Sequence, residues 1–300
     1  MPITRRDALG LFAAPAFAQS RPTVAITMDD AAWEDIPDTH RAEAEAQLLE
    51  HLHGTQAFLF ARGKKIDNAH GARILNEWSG QGHRIGNHTY DHVPLLGRVT
   101  PDEFEAGILR TDAVLRGCSG FRKWFRYPLL KEGATIEVRD RLRGFLAQHG
   151  YRNGAVTIDA SDWYYDQRLL AQLKQNFGFD VKRFRKPYLS HIWDRAQYYD
   201  QLSHDVLGRG VAHTLLIHYN LLNSLFLGDL LKMFRDRGWG VIDAEEAFAD
   251  PVFLRQPNTA PAGESLIWAL ARESGKFDSR LRYPGEDDVY EKPALERLGL

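Results

Sequence analysis

Apolar runs at residues 22 to 28, 56 to 61, 84 to 88, 121 to 127, 154 to 158, 211 to 218 and 239 to 242 alternate along this chain with longer segments of helix-like periodicity. Short apolar runs bounded by polar residues read as buried strands, and segments with apolar positions every three to four residues read as helices laid over them. The pattern predicts helices over Asp38 to His53, Ala69 to Gln81, Thr100 to Arg116 and Ile136 to His149. Thr100-Pro101-Asp102-Glu103 is a good helix start, with a capping hydroxyl, a proline at the first helical position and acids in the first turn. Repeated strand and helix means βα units, and an α/β barrel presents its chemistry at the C-terminal ends of its strands.

The stretch from Tyr164 to Arg209 is longer than a simple crossover and carries Tyr164, Tyr165, Trp193, Tyr198 and Tyr199 among many charges. It predicts added helices on one side of the barrel, either walling a groove or packing on the flank. After Glu245, the Pro251 to Pro261 stretch reads as loop, Gly263-Glu264-Ser265 opens a helix to Arg272, and the residues from Tyr283 onward read as a surface tail. The expected organisation is a removable segment over 1–18, a single barrel domain over 19–250, and a C-terminal helix and tail over 251–300 packed on it.

Composition narrows the classes. A chain of 300 residues, 44% hydrophobic and 26% charged, can bury one large core. A net charge of −2 and a pI near 6.6 offer no basic field for nucleic acid. Cys118 is the only cysteine, so an intramolecular disulfide is excluded, and without a nearby histidine it reads as incidental. Thr4-Arg5-Arg6-Asp7, an apolar stretch from Ala8 to Phe17 and the small-residue ending Ala16-Phe17-Ala18 read as a twin-arginine export signal, with the mature chain starting near Gln19 in the periplasm or outside the cell. The alternative is an ordinary amphipathic N-terminal helix; a stretch this short is no stable membrane anchor.

Candidate chemistry sits where the strands end. Val24-Ala25-Ile26-Thr27-Met28 runs into Asp29-Asp30, and Arg84-Ile85-Gly86-Asn87 runs into His88-Thr89-Tyr90-Asp91-His92. The His-x-x-x-His spacing brings two imidazoles to one side of a turn, and two histidines with one carboxylate leave open positions on a divalent cation, as catalytic sites do. Each motif alone also has a bland reading: adjacent aspartates cap helices, and twelve histidines make a chance pair unremarkable.

The chain resembles the polysaccharide deacetylases of the NodB-homology type, carbohydrate esterase family 4, through five motifs in order: Thr27-Met28-Asp29-Asp30, His88-Thr89-Tyr90-Asp91-His92, Arg126-Tyr127-Pro128-Leu129, Asp159-Ala160-Ser161-Asp162-Trp163 and Leu216-Ile217-His218. The resemblance, spanning about residues 22 to 245, implies the family's irregular (β/α)7 TIM-like barrel and removal of N-acetyl or O-acetyl groups from a carbohydrate. It implies that Asp30, His88 and His92 hold one divalent metal, with Zn2+ the first choice and Co2+, Ni2+, Mn2+ or Fe2+ compatible with the same donors. Such a cation would polarise the acyl carbonyl and acidify a water. The resemblance makes Asp29 the base, oriented by Arg126, and His218 the acid, oriented by Asp162. Trp163, Leu129 and Tyr127 are the expected substrate contacts, Leu129 through its backbone N–H.

Two departures stand out: Met28 replaces an aromatic, and Leu129-Leu130 replaces the usual Tyr-Gly. Arg185-Lys186-Pro187-Tyr188 fits the third motif better than the stretch at Arg126, but it follows the fourth, so chain order favours Arg126. Alternatives from other classes are a hydrolase of small-molecule amides on the same fold, a silent carbohydrate-binding protein, and an Fe(II) oxygenase sharing the two-histidine, one-carboxylate set. A binding module needs neither Asp29 nor His218, and no cosubstrate-binding arginine pattern supports the oxygenase. Oligomeric state is not encoded in any motif.

Overall fold

A computed structural model describes residues 21–31, 38–282 and 289–300; the expected export signal over 1–18 lies outside them. The strands in chain order are β1 (Thr23–Asp29), β2 (Phe58–Ala61), β3 (Arg84–Asn87), β4 (Phe121–Phe125), β5 (Lys131–Gly133), β6 (Arg152–Asn153), β7 (Ala212–His218), β8 (Gly240–Val241) and β9 (Ala262–Gly263). Seven of them form one parallel sheet in the order β6-β4-β3-β2-β1-β7, with β8 against the start of β1, while β5 and β9 pair separately as an antiparallel ladder. Strands covered on both faces are apolar throughout, and Val24, Ala25, Ile26 and Met28 are all fully buried. Methionine at position 28 is therefore a packing residue.

The run 154–158 departs from the expectation of a regular strand. Gly154 N–H bonds Phe125 O of β4, whereas Thr157 and Ile158 N–H both bond Thr214 O of β7, and Leu216 N–H returns to Ile158 O. The segment crosses between the two edges of the sheet and curls it into the irregular barrel predicted from the motifs. Phe58 and Phe60 stack at 4.8 Å inside. Phe60 lies so close to Gly154 that a Cβ there would meet its ring at 2.3 Å.

Helices follow the predicted segments closely. The helix Pro101–Leu115 starts on a full capping box, with Glu103 N–H donating to Thr100 Oγ1 and Thr100 N–H to Glu103 Oε2. The 164–209 region holds helices Asp162–Gln175 and Arg185–Leu207, whose Tyr188 and Tyr199 are buried in the main core. Most of its aromatics thus serve packing. Helix Leu266–Ser274 begins after Ser265, as read.

The C-terminal end corrects the reading of a surface tail. Residues Glu291–Glu296 are helical, Leu295 and Leu300 are buried, and Arg195 pairs with Glu291 at 3.2 Å. Apolar side chains spaced too sparsely to register as a periodic pattern nonetheless join the main core. Among the described residues, no helix is long and apolar enough to cross a membrane.

Candidate active site

Parallel pairing fixes where the functional side chains stand. Asp29, the last residue of β1, lies in register with His218, the last residue of β7, so both side chains emerge together at one rim. The residues just past each strand are tied to the neighbouring strand: Asp30 N–H to Phe60 O, His88 N–H to Ala61 O, Arg126 N–H to Asn87 O and Tyr219 N–H to Asp29 O. This ladder stacks the first, second, third and fifth motifs around one mouth.

A cleft of about 350 Å³ opens there, lined by Asp29, Asp30, His88, His92, His218 and Asp159 on its polar side and by Leu129, Leu130, Ala160, Trp163 and Leu216 on its apolar side. Asp30, His88 and His92 each offer a ligand atom, all within 4.8 Å of one another. The backbone twists to achieve this. Among the described residues, the six non-glycine residues with left-handed φ are Asp30, Thr89, His92, Leu129, Leu130 and Glu264, five of them in the loops around the cleft. Such conformations persist only where surroundings hold them, and they gather at functional sites.

The donor set fits a divalent cation. His88 Nδ1 donates to Arg126 O at 2.8 Å, which leaves its Nε2 as an acceptor, and that Nε2 faces His92 Nε2 at 3.0 Å. Burial keeps both imidazoles neutral, pushing His92 down to about 4 and His88 well below its ordinary value. Asp30 Oδ1 is buried without a hydrogen bond. Burial works to raise this carboxyl, but its position beside His92, His88 and Arg62 outweighs burial and lowers it below the ordinary carboxylate value. Two imidazole lone pairs and a carboxylate oxygen thus converge, as cation ligands do.

A second constellation adjoins it. Asp29 is buried and receives Arg126 Nη1 at 3.1 and 3.3 Å, while Arg126 Nη2 bonds Thr27 Oγ1 and its Nε donates to Gly154 O. Burial lifts Asp29 to about 6 against the pull of Arg126 and His218. Asp29 Oδ2 stands 3.5 Å from His88 Nε2, so the carboxylate touches the edge of the ligand cluster. Opposite, His218 Nδ1 contacts Asp162 Oδ1 at 2.7 Å. Asp162 is fully buried and also accepts from His218 N–H, Asn220 Nδ2 and Asn223 Nδ2. Burial opposes charge on His218, but Asp162 outweighs it and raises the imidazole to about 9.

The rim gathers nine of the ten residues read from the motifs and corrects the tenth. Tyr127 is buried away from the cleft, its ring 4.8 Å from that of Phe125, beside a cavity lined by Glu132 and Arg143. Side chains alternate along an extended segment, so with Arg126 aimed into the site its neighbour must point outward. The rival motif at Arg185 lies outside the cleft, where Arg185 pairs with Asp229 and Tyr188 bonds Asn223, the residue behind Asp162. Sequence reading missed Arg62, whose Nε stands 3.4 Å from Asp30 Oδ1, and Gln167 on the cleft wall. Arg62 follows β2 directly, and its place at a strand end was the available signal.

A curled parallel barrel carrying these motifs at one rim is the fold of the polysaccharide deacetylases, and residues 18–154 match the polysaccharide deacetylase family. The resemblance carried by the motifs is thereby borne out. The peptidoglycan-N-acetylglucosamine deacetylase of Bacillus cereus is 33% identical over 142 residues, which span 47% of this chain and only 46% of that protein. The peptidoglycan deacetylase PdaC from Bacillus subtilis superposes with a TM-score of 0.50 at 21% identity, covering 76% of this chain and 92% of that one. A CE4 family pseudoenzyme from Bacillus anthracis gives 0.52 at 17% identity, covering 76% and 66%. At these identities the structural likeness is one of fold.

Proposed function

We propose that this chain is a metal-dependent hydrolase that removes acetyl groups, from nitrogen or oxygen, on a carbohydrate. The observation that carries the reading is the meeting of two distinct sets at one rim: the ligand cluster Asp30, His88 and His92, and a separate buried carboxylate, Asp29, in register with His218. The relatives named as deacetylases of peptidoglycan support an acetylated glycan as substrate.

A divalent cation held by Asp30, His88 and His92, zinc in the first instance, would supply Lewis-acid polarisation of the acyl carbonyl. Asp29 takes the proton of the attacking water, its carboxylate oriented by the two hydrogen bonds from Arg126 Nη1. His218 gives a proton to the leaving amine or alcohol; Asp162, bonded to Nδ1, keeps the other ring nitrogen turned to the cleft. The Leu129 N–H serves the developing oxyanion, a duty independent of its side chain. Trp163 and Leu216 enclose the acyl methyl. Action outside the cytoplasm follows from the export pattern at the N-terminus.

A small-molecule amide is the second reading, favoured by the apolar wall of Leu129, Leu130, Ala160, Trp163 and Leu216. Acetate release by the zinc-loaded protein from acetylated chitin oligomers, peptidoglycan and acetylated xylan tests the first reading. The expected result is release on at least one, reduced about 10³-fold by Asp29→Asn. No release with cation bound would defeat it in favour of a small amide or a silent binding role.

A further inference from the structure

Leu129 and Leu130, with φ of 52° and 58°, follow one another in the loop after β4, a conformation L side chains disfavour. Leu130 occupies the place where the family pattern has glycine. Its side chain compensates in part by packing with Val156 and Leu216 beneath the cleft. The remaining restraint comes from the other end of the chain. β5 pairs with β9, Glu264 N–H donates to Leu130 O at 3.2 Å, and Lys131 Nζ pairs with Glu264.

The same segment is pinned to the barrel's closure, because Ser265 Oγ donates to Thr157 O and Leu266 N–H to Val156 O. Gly263 is the point of closest approach. Its φ is +128°, and a Cβ there would stand 2.0 Å from Leu130 O and 2.9 Å from Leu130 C. Backbone cannot yield as a flexible side chain would, so any larger residue must displace the Leu129–Leu130 loop.

We infer that the segment Ala262–Ser265, with Gly263 as its contact point, is a positioning element for the reaction: it sets the Leu129 backbone N–H against the substrate's acyl oxygen. The inference rests on the hydrolase reading above. The segment lies beyond the family match, which ends at residue 154. Neither Gly263 nor Glu264 lines the cleft; they act through Leu130.

The test is Gly263→Ala in the full chain, with Lys131→Met as a milder variant that loosens the same ladder. In Gly263→Ala, kcat should fall about 10- to 100-fold. KM should stay within about threefold, as expected for loss of a contact made in the transition state. Cation affinity by calorimetry should match wild type, since Asp30, His88 and His92 sit on other loops. Lys131→Met should show the same split with a smaller loss, and it carries the test if Gly263→Ala does not fold. Folded variants with wild-type kcat overturn the inference, as does a loss that only tracks the melted fraction. A wild type inactive on every substrate overturns the hydrolase reading, and this inference falls with it.

Discussion

The two halves of the cleft are built differently. Asp29 and His218 end two directly paired strands, and each has a buried partner, Arg126 or Asp162, that satisfies it. Asp30 and His92 sit just past strand ends in left-handed backbone, and His88 lies between Asn87 and left-handed Thr89. One half is fixed by sheet register and by charge-assisted hydrogen bonds; the other is fixed by turns, with its acceptor atoms aimed at each other. Groups that exchange protons need an orientation set before substrate arrives. Groups that bind a cation need only converge, since the ion itself compensates their mutual repulsion.

Separating the halves experimentally sharpens this contrast. The largest effect on cation binding is expected from His88→Ala, which should weaken it at least about 100-fold by calorimetry. Retained affinity would remove His88 from the ligand set. Next, Arg126→Met leaves Asp29 buried without its counter-charge and should cost about 3–5 kcal/mol in denaturant unfolding, the range for breaking a buried pair. Cation affinity in that variant should change far less than in His88→Ala; an equal loss would dissolve the distinction between the halves.

The smallest effect is in pH dependence. His218 is raised to about 9, above its ordinary value, so the stability it gains from Asp162 is fully present below about 6.5 and is lost as pH rises through about 9. Asp162→Asn should flatten that alkaline slope in thermal melts. It should also move the upper limb of the rate profile to lower pH, because the acid then deprotonates sooner. An unchanged profile would show that Asp162 does not hold the proton on His218.

What was legible from sequence was local. Helix Pro101–Leu115 announced itself through its capping residues, and β1 through an apolar run ending in two aspartates. The crossing segment 154–158 reads as a regular strand because hydrophobicity records burial without saying which strand is the partner, whereas its bonds pass from β4 to β7. Tyr127 reads as a substrate contact because a motif gives residue order, while the pleat decides which neighbour faces the site. The C-terminal residues Leu295 and Leu300 and the contact of Gly263 with Leu130 were invisible for a common reason: each depends on a surface supplied by residues far away in sequence.

The longest ladder of the barrel joins β1, the first strand, to β7, which ends at His218. A chain leaving the ribosome therefore exposes Asp29 and the two histidines long before the residue that faces them is synthesised. Contacts between such distant segments form late in folding. The Asp29–His218 pairing cannot exist on a nascent chain until β7 has been made, so the timing of synthesis itself keeps this rim incomplete until the first 218 residues are available.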